Sequence, residues 1–255
     1  MPLLNPWPVL AARFPSGKIA LGLGALLALT GVSLQSSTPS QPPLRVPSNI
    51  AWTDDTITTA NSGDAVRGLV IARRCERCHG HEGFASDPLV PNLAGIDRLA
   101  MWKQMNDFRA GKRQSIIMEA IANELSARDY SDLAAYFSML PTYADPGDPR
   151  SFPQTPPQSF HAGVAARLVI AGDGQRGIPP CQACHGPIYR YRGAPSLMTQ
   201  NAPYIQQQLD SFGDGMRRND INMPMRTIAS MLTAEEKQAL AAYYGAGYAN
   251  FPNNR

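Results

Sequence analysis

The chain has 255 residues, 44% hydrophobic and 17% charged, with a formal net charge of +3. Three of its 23 basic residues, Arg13, Lys18 and Arg45, precede the first acidic one, which leaves 20 basic against 20 acidic groups over the rest. That balance excludes a basic patch of the size nucleic-acid binding needs, and the length allows one or two domains.

Residues 1–18 are irregular and slightly basic. Residues 19–34, IALGLGALLALTGVSL, form an apolar run. It is long for the apolar core of a signal peptide and short of the roughly 20 residues that span a bilayer. Residues 1–34 therefore read as a signal peptide or a membrane anchor, and either one exports the remainder of the chain. Gly31 and Ser33 are the small residues a cleavage site would use, although no clean A-x-A is present. The basic residues ahead of the run fit an N-terminus-inside orientation.

Residues 35–63 are rich in Ser, Thr, Pro, Gln and Asn. Such a stretch carries too little apolar surface to offset its ordering entropy. It reads as a flexible linker, and about 30 residues of this kind reach roughly 30 Å.

Residues 64–140 read as a mostly helical module. Asp64 is placed to cap a helix running through VRGLVIARR. That helix leads into Cys75-Glu76-Arg77-Cys78-His79, followed by Gly80. A loop comes next, then a helix near 97–109 with Leu99, Trp102, Met105 and Phe108 at helical spacing. Ser126 starts a last helix, with Tyr130, Leu133, Ala134 and Phe137 as its buried stripe, and Pro141 stops it. Residues 141–160, with Pro141, Pro146, Pro149, Pro153, Pro156 and Pro157, read as an extended, semi-rigid linker.

Residues 161–255 repeat the module. The motif returns as Cys181-Gln182-Ala183-Cys184-His185-Gly186. Gln104, Phe108 and Gly111 parallel Gln208, Phe212 and Gly215. Met118-Glu-Ala-Ile121-Ala122 parallels Met225-Arg-Thr-Ile228-Ala229, Leu125 parallels Leu232, and Leu133-Ala-Ala-Tyr136 parallels Leu240-Ala-Ala-Tyr243. Blocks matched in the same order argue for duplication. Each module alone has a marginal polypeptide core, which a covalently held apolar macrocycle would fill.

The two pentapeptides contain all four cysteines. C-x-x-C-H is the attachment signature of c-type haem. Two thiols three residues apart share one short helical arc, so each can form a thioether to a haem vinyl group, and the next histidine then ligates the iron. A thioredoxin-like pair or a zinc ribbon does not need that histidine, and ribbons separate their pairs by about 15–20 residues, far less than Cys78 to Cys181. The composition thus implies two covalent haem c groups, on Cys75 and Cys78 and on Cys181 and Cys184, with His79 and His185 on the irons. Haem is joined to this motif outside the bacterial cytoplasm.

The opposite face of each iron decides the chemistry. A methionine sulfur closes it and raises the potential. Among ten methionines, the repeat selects Met118 and Met225, each seven residues before an equivalent leucine. Met223, followed by Pro224, is the rival for the second site. His81 and His161 have no counterpart in the repeat and read as surface positions. Arg113 and Arg217 or Arg218 are candidates for pairing with haem propionates, and Arg73, Arg74 and Arg77 for a weak docking surface.

With these residues the chain resembles class I cytochromes c, and in its tandem arrangement the two-haem cytochrome c4 family. The resemblance covers about 64–140 and 161–248. It rests on the two C-x-x-C-H-G runs, the Pro91-Asn92-Leu93-Ala94-Gly95 loop and the paired methionine and Leu-Ala-Ala-Tyr blocks. It implies an all-α fold of two haem domains joined by a linker. It also implies that the Pro91 and Pro195 carbonyls accept the ring N–H of His79 and His185. The second loop, Ala194-Pro195-Ser196-Leu197, departs from the Pro-Asn-Leu-x-Gly form. The expected function is that of a non-enzymatic carrier on the periplasmic side, passing single electrons between a quinol-oxidising complex and a terminal oxidase or reductase. A fixed subunit of a larger dehydrogenase or oxidase complex is the alternative, followed by a dihaem peroxidase-type enzyme.

Overall fold

The computed structural model describes residues 46–141, 163–186, 192–198 and 200–249. These residues are helical, with one isolated bridge between Asp173 and Ile178 and no strand among them. The leader 1–34 and most of the proline-rich stretch 141–160 lie outside the described residues. Among the described residues, no helix is long and apolar enough to cross a membrane.

The first half holds α1 (Asp54–Asn61), α2 (Ala65–Ala72), α3 (Glu76–His79), α4 (Arg98–Arg109), α5 (Ile116–Glu124) and α6 (Ala127–Met139). The second holds α7 (Val164–Ile170), α8 (Gln182–His185), α9 (Ala202–Gly213), α10 (Pro224–Met231) and α11 (Ala234–Ala249). From α2 and α7 onward the order repeats, as the matched sequence blocks require.

Local chemistry explains the helix starts. Asp64 accepts from Val66 N and Arg67 N at 2.8 and 3.0 Å, which satisfies two orphan donors of α2. Ser126 and Asp129 form a capping box at α6, with bonds of 3.2 and 2.7 Å. Asp97 caps α4 through Ala100 N at 3.0 Å.

Packing builds two cores. The first is centred on Tyr130, Leu133, Ala134 and Phe137 of α6, the stripe read from the sequence, with Trp102, Met105 and Phe108 of α4. The second gathers Leu168, Ile178, Ile205, Leu209, Phe212, Leu240 and Tyr244. In the first, α2 lies directly on α6 because it presents Gly68 and Ala72 there. Asp132, 1% exposed, ties this crossing together by accepting from Asp64 N at 2.6 Å and from Arg67 Nε and Nη2 at 2.8 and 3.0 Å. Burial raises its pKa, but the bonds from Arg67 and the Asp64 backbone outweigh that and hold the carboxyl below the usual range.

A Cβ on Gly68 would stand 2.1 Å from the Asp132 carbonyl oxygen. Gly68→Ala is therefore expected to destabilise the fold by about 1–3 kcal/mol through overpacking. Gly174→Ala, where a Cβ meets nothing within 4 Å, is expected to stay within about 0.5 kcal/mol. Thermal unfolding of the two variants checks both.

One reading from the sequence is corrected. The flexible linker assigned to 35–63 does not extend through its second part. Thr53 caps α1, accepting from Thr56 N at 3.2 Å, and Asp54 and Asp55 sit favourably in its first turn. Ala60 is fully buried, Ile50 and Trp52 pack on the first core, and Ser131 Oγ donates to Thr59 O at 2.8 Å. The polar composition hid these few apolar anchors, which are enough to hold a short helix against α4 and α6.

Candidate functional site

In the first motif, α2 hands the chain to Cys75, whose N–H bonds to Ala72 O at 2.8 Å. The short α3 then carries Cys78 and His79 round one turn, with His79 N on Cys75 O at 2.9 Å. The second motif repeats this on α8, with His185 N on Cys181 O at 2.9 Å. None of the four cysteines is joined to another in a disulfide; Cys78 is exposed and the other three are half-buried. Gly80 ends α3 at φ +72°, where a Cβ would stand 1.7 Å from Phe84 O, so only glycine fits.

His79 and His185 are each 8% exposed. Each places Nδ1 2.8 Å from a proline carbonyl, Pro91 O for the first and Pro195 O for the second. A carbonyl only accepts, so Nδ1 carries the proton and Nε2 is left with its lone pair. Burial lowers both imidazole pKa values, and Arg113 adds to the effect at His79. Two neutral imidazoles, each held by a second partner, are set up as metal ligands.

Met118 packs against the first core and Met225 against the second. Ser115 fixes the start of α5, accepting from Met118 N at 3.2 Å. At α10 the same task falls to Asp220, which accepts from Arg226 N and Nε at 2.9 and 2.6 Å. Met223 is 52% exposed, with φ +67°, and belongs to neither core.

The two halves meet through α4 and α9. Arg113 donates to Gln104 Oε1 of its own half at 2.8 Å and to Gln208 Oε1 across at 3.2 Å. Arg217 reciprocates, reaching Gln208 Oε1 at 2.8 Å and Gln104 Oε1 across at 3.2 Å. Each guanidinium also stacks on the phenylalanine of its own half, Phe108 at 4.7 Å and Phe212 at 4.4 Å. Tyr204 OH accepts from Arg113 at 2.6 Å. Beside this core lies an unmatched cluster. Lys103 Nζ bonds to Asp107 and to Asn219 O, the latter at 2.5 Å, and Asn219 Nδ2 donates to Asp107 Oδ2 at 2.8 Å. Ser48 Oγ donates to the other Asp107 oxygen at 2.7 Å.

This surface fits a group that brings its own carboxylates. Among the described residues the network holds three cations, Lys103, Arg113 and Arg217, against the carboxylate of Asp107. Desolvation first and Arg113 second push Arg217 down to about 9. Burial and the neighbouring guanidinium both weigh against its charge, and an anion beside the pair would offset them. Trp52 Nε1, Trp102 Nε1 and Tyr244 OH are buried without a partner among the described residues. Haem propionates supply such acceptors, and the cysteine–histidine arcs supply its attachment, so the residues present fit haem at both centres.

The structure thus brings together His79 with Pro91, His185 with Pro195, and Arg113 with Arg217. Arg218 stands outside this network of side chains. Arg73, Arg74 and Arg77 are exposed beside the first motif, and Arg74 pairs with Glu124. The His81 side chain is 84% exposed, and His161 lies outside the described residues. Sequence reasoning missed Lys103, Asp107 and Asn219. Their only signal was Gln104 recurring as Gln208 inside a matched block, which marked α4 and α9 as equivalent faces without saying that they meet.

No family model matches the chain. It is 38% identical to a thiosulfate dehydrogenase electron acceptor of Stutzerimonas stutzeri, over 68% of this chain and 78% of that protein. It is 33% identical to a cytochrome c4 of Pseudomonas aeruginosa, over 71% of this chain and 88% of that one. Among solved structures, the reduced recombinant cytochrome c4 of Pseudomonas stutzeri matches with a TM-score of 0.60 and 32% identity, over 72% of this chain and 98% of that chain. A thiosulfate dehydrogenase of Marichromatium purpuratum matches with a TM-score of 0.57 and 29% identity, over 71% of this chain and 39% of that one. Repeated motif, repeated helix order and these likenesses agree, and the chain belongs to the cytochrome c4 family of two-haem, c-type electron-transfer cytochromes.

Proposed function

We propose that this chain carries single electrons on the periplasmic side of the inner membrane, from a quinol-oxidising complex to a terminal oxidase or reductase. The observation that supports this best is the equivalence of the two centres. Each has a buried neutral histidine held by a proline carbonyl and a methionine at the matching place in the repeat.

In this reading the haem domains are 64–140, extended at its start by 46–63, and 161–255. Cys75 and Cys78 hold one haem, and Cys181 and Cys184 the other. His79 and Met118 ligate the first iron, and His185 and Met225 the second. When bound, each haem supplies a one-electron couple whose potential the methionine raises. The chain's own residues do the rest. Pro91 and Pro195 fix the tautomer and orientation of the histidines, and Arg113 and Arg217 neutralise propionates between the domains. With Met118 and Met225 as ligands beside the two histidines, neither iron would offer a substrate an open position, which favours a carrier over a peroxidase-type enzyme. The apolar run 19–34 exports the chain and, left uncleaved, tethers it to the membrane.

A second reading makes the chain a fixed electron-accepting subunit of a larger dehydrogenase. The name of the relative from Stutzerimonas stutzeri favours it, with thiosulfate oxidation as the source of electrons. An optical titration tests the shared core of both. Two haems per chain, a methionine–ferric charge-transfer band and no carbon monoxide binding to the reduced form are expected. Carbon monoxide binding by the wild-type chain overturns the ligand assignment. Copurification of a dehydrogenase in stoichiometric amount distinguishes subunit from carrier.

A further inference from the structure

The loop that holds each axial histidine is gripped from the other half of the molecule. At the first site, Gln200 makes a two-point contact with the Asn92 backbone: Asn92 N donates to Gln200 Oε1 at 2.8 Å, and Gln200 Nε2 donates to Asn92 O at 3.0 Å. Asn92 directly follows Pro91, the residue whose carbonyl holds His79. Asn201, 2% exposed, stands at the start of α9 but makes no side-chain cap there. Its Nδ2 donates instead to Val90 O at 2.8 Å. Residues 90–92 are thus fixed on both sides of Pro91 by two adjacent amides of the second half.

At the second site the grip comes from residue 52. A Cβ built on Gly193 would stand 2.3 Å from Trp52 Cζ2, so the indole lies directly on the backbone two residues before Pro195. Trp52 belongs to the segment that packs on the first core and that Ser48 ties to Asp107. The two loops also share one small cleft, lined by Asn92, Gly95, Pro195, Met198 and Gln200.

We propose that Gln200 and Trp52 are positioning residues that act crosswise: Gln200 of the second half sets His79 of the first, and Trp52 of the first sets His185 of the second. The inference rests on the haem ligands assigned above. Its physical basis is that outer partners of a metal-bound histidine fix ring orientation and ligand basicity, and their loss is commonly worth about 10–100-fold at the metal. A proline carbonyl can orient an imidazole only as well as its own backbone is held. The first loop has holds within its own half, with Asn92 Oδ1 accepting from Ala85 N at 2.9 Å and Leu93 N donating to Gly83 O at 2.8 Å, and the contacts from the other half add to these on either side of Pro91.

The test uses the full-length holoprotein, with haem content measured first. Each haem's potential is then followed by proton NMR, assigned through its shifted methionine methyl resonance. Gln200→Ala is expected to change the oxidised-to-reduced ratio of the first haem by up to about tenfold, or about 59 mV for one electron, and to leave the second unchanged. Trp52→Ala is expected to do the reverse. Amide exchange should quicken at 90–95 in the first variant and at 192–198 in the second. Shifts confined to each residue's own half, shifts of both haems together, or no shift at all would overturn the proposal. If either variant loses haem, Gln200→Glu and Trp52→Phe are milder changes at the same two residues and carry the same crossed expectation. A wild-type chain with fewer than two haems defeats the haem reading itself, and that outcome is visible before any variant is made.

Discussion

Replacing Met225 with alanine is expected to open the second iron. The reduced protein should then bind carbon monoxide at one haem of two, lose half of its methionine–ferric charge-transfer band, and show one lowered potential. The drop is a fraction of the roughly 0.8 V over which axial ligands set haem potentials. Met223→Ala should change none of these. The contrast follows from packing: Met225 is held against the second core, whereas Met223 is 52% exposed at the left-handed residue before α10. The sequence left the two open, because Met223-Pro224 imitates a pair common in single-haem cytochromes while only the repeat favours Met225. Carbon monoxide binding by the Met223 variant and not by the Met225 variant would reverse the assignment.

The second large effect concerns the Lys103–Asp107 ion pair of α4, which Asn219 of the second half bonds at both ends. Lys103 and Asp107 expose 5% and 1% of their side chains. Asp107→Leu leaves a buried ammonium without its carboxylate and deprives Ser48 and Asn219 of an acceptor. The expected cost is about 3–5 kcal/mol, as for other broken buried pairs. Desolvation already lowers the Lys103 pKa, with Asp107 opposing it, so the single variant should drive the amine further toward its neutral form. The double variant Lys103→Met, Asp107→Leu removes both charges and should recover most of that loss. Denaturant unfolding of the two singles and the double closes the cycle. If Asp107→Leu costs under about 1 kcal/mol, the pair behaves as a surface contact does, and the network is not what joins the halves.

Most of each module was legible because its information is local. Asp64, Asp97 and Ser126 announced helix starts, and they cap α2, α4 and α6. The stripe of Tyr130, Leu133, Ala134 and Phe137 is the buried face of α6. The cysteine–histidine arcs and the repeat placed His79, His185, Met118 and Met225 at equivalent positions. Contacts between distant residues were not legible. Gln200 to Asn92, Trp52 to Gly193 and Lys103 to Asn219 join stretches that share no pattern in the sequence. The helix α1 was missed for a different reason. Its stability comes from a few anchors, Ile50, Trp52 and Ala60, pressed onto a surface already formed by α4 and α6. Composition averaged over 35–63 dilutes those anchors below notice.

The reciprocal contacts between Arg113 and Gln208 and between Arg217 and Gln104 have a consequence for how such a chain came to exist. When residue i of one body touches residue j of another, and j touches i in return, the surface is isologous, the geometry of a twofold dimer. A single module bearing one glutamine and one arginine at these places presents a self-complementary set of polar contacts to its own copy. Joining two copies end to end turns that pairing into an intramolecular step at an effective concentration near the millimolar range. It also releases each copy from having to serve both roles. Lys103 and Asp107 now face a half in which the matching positions are Gln207 and Ser211. Such a difference is closed to a homodimer, and it allows the two irons to diverge.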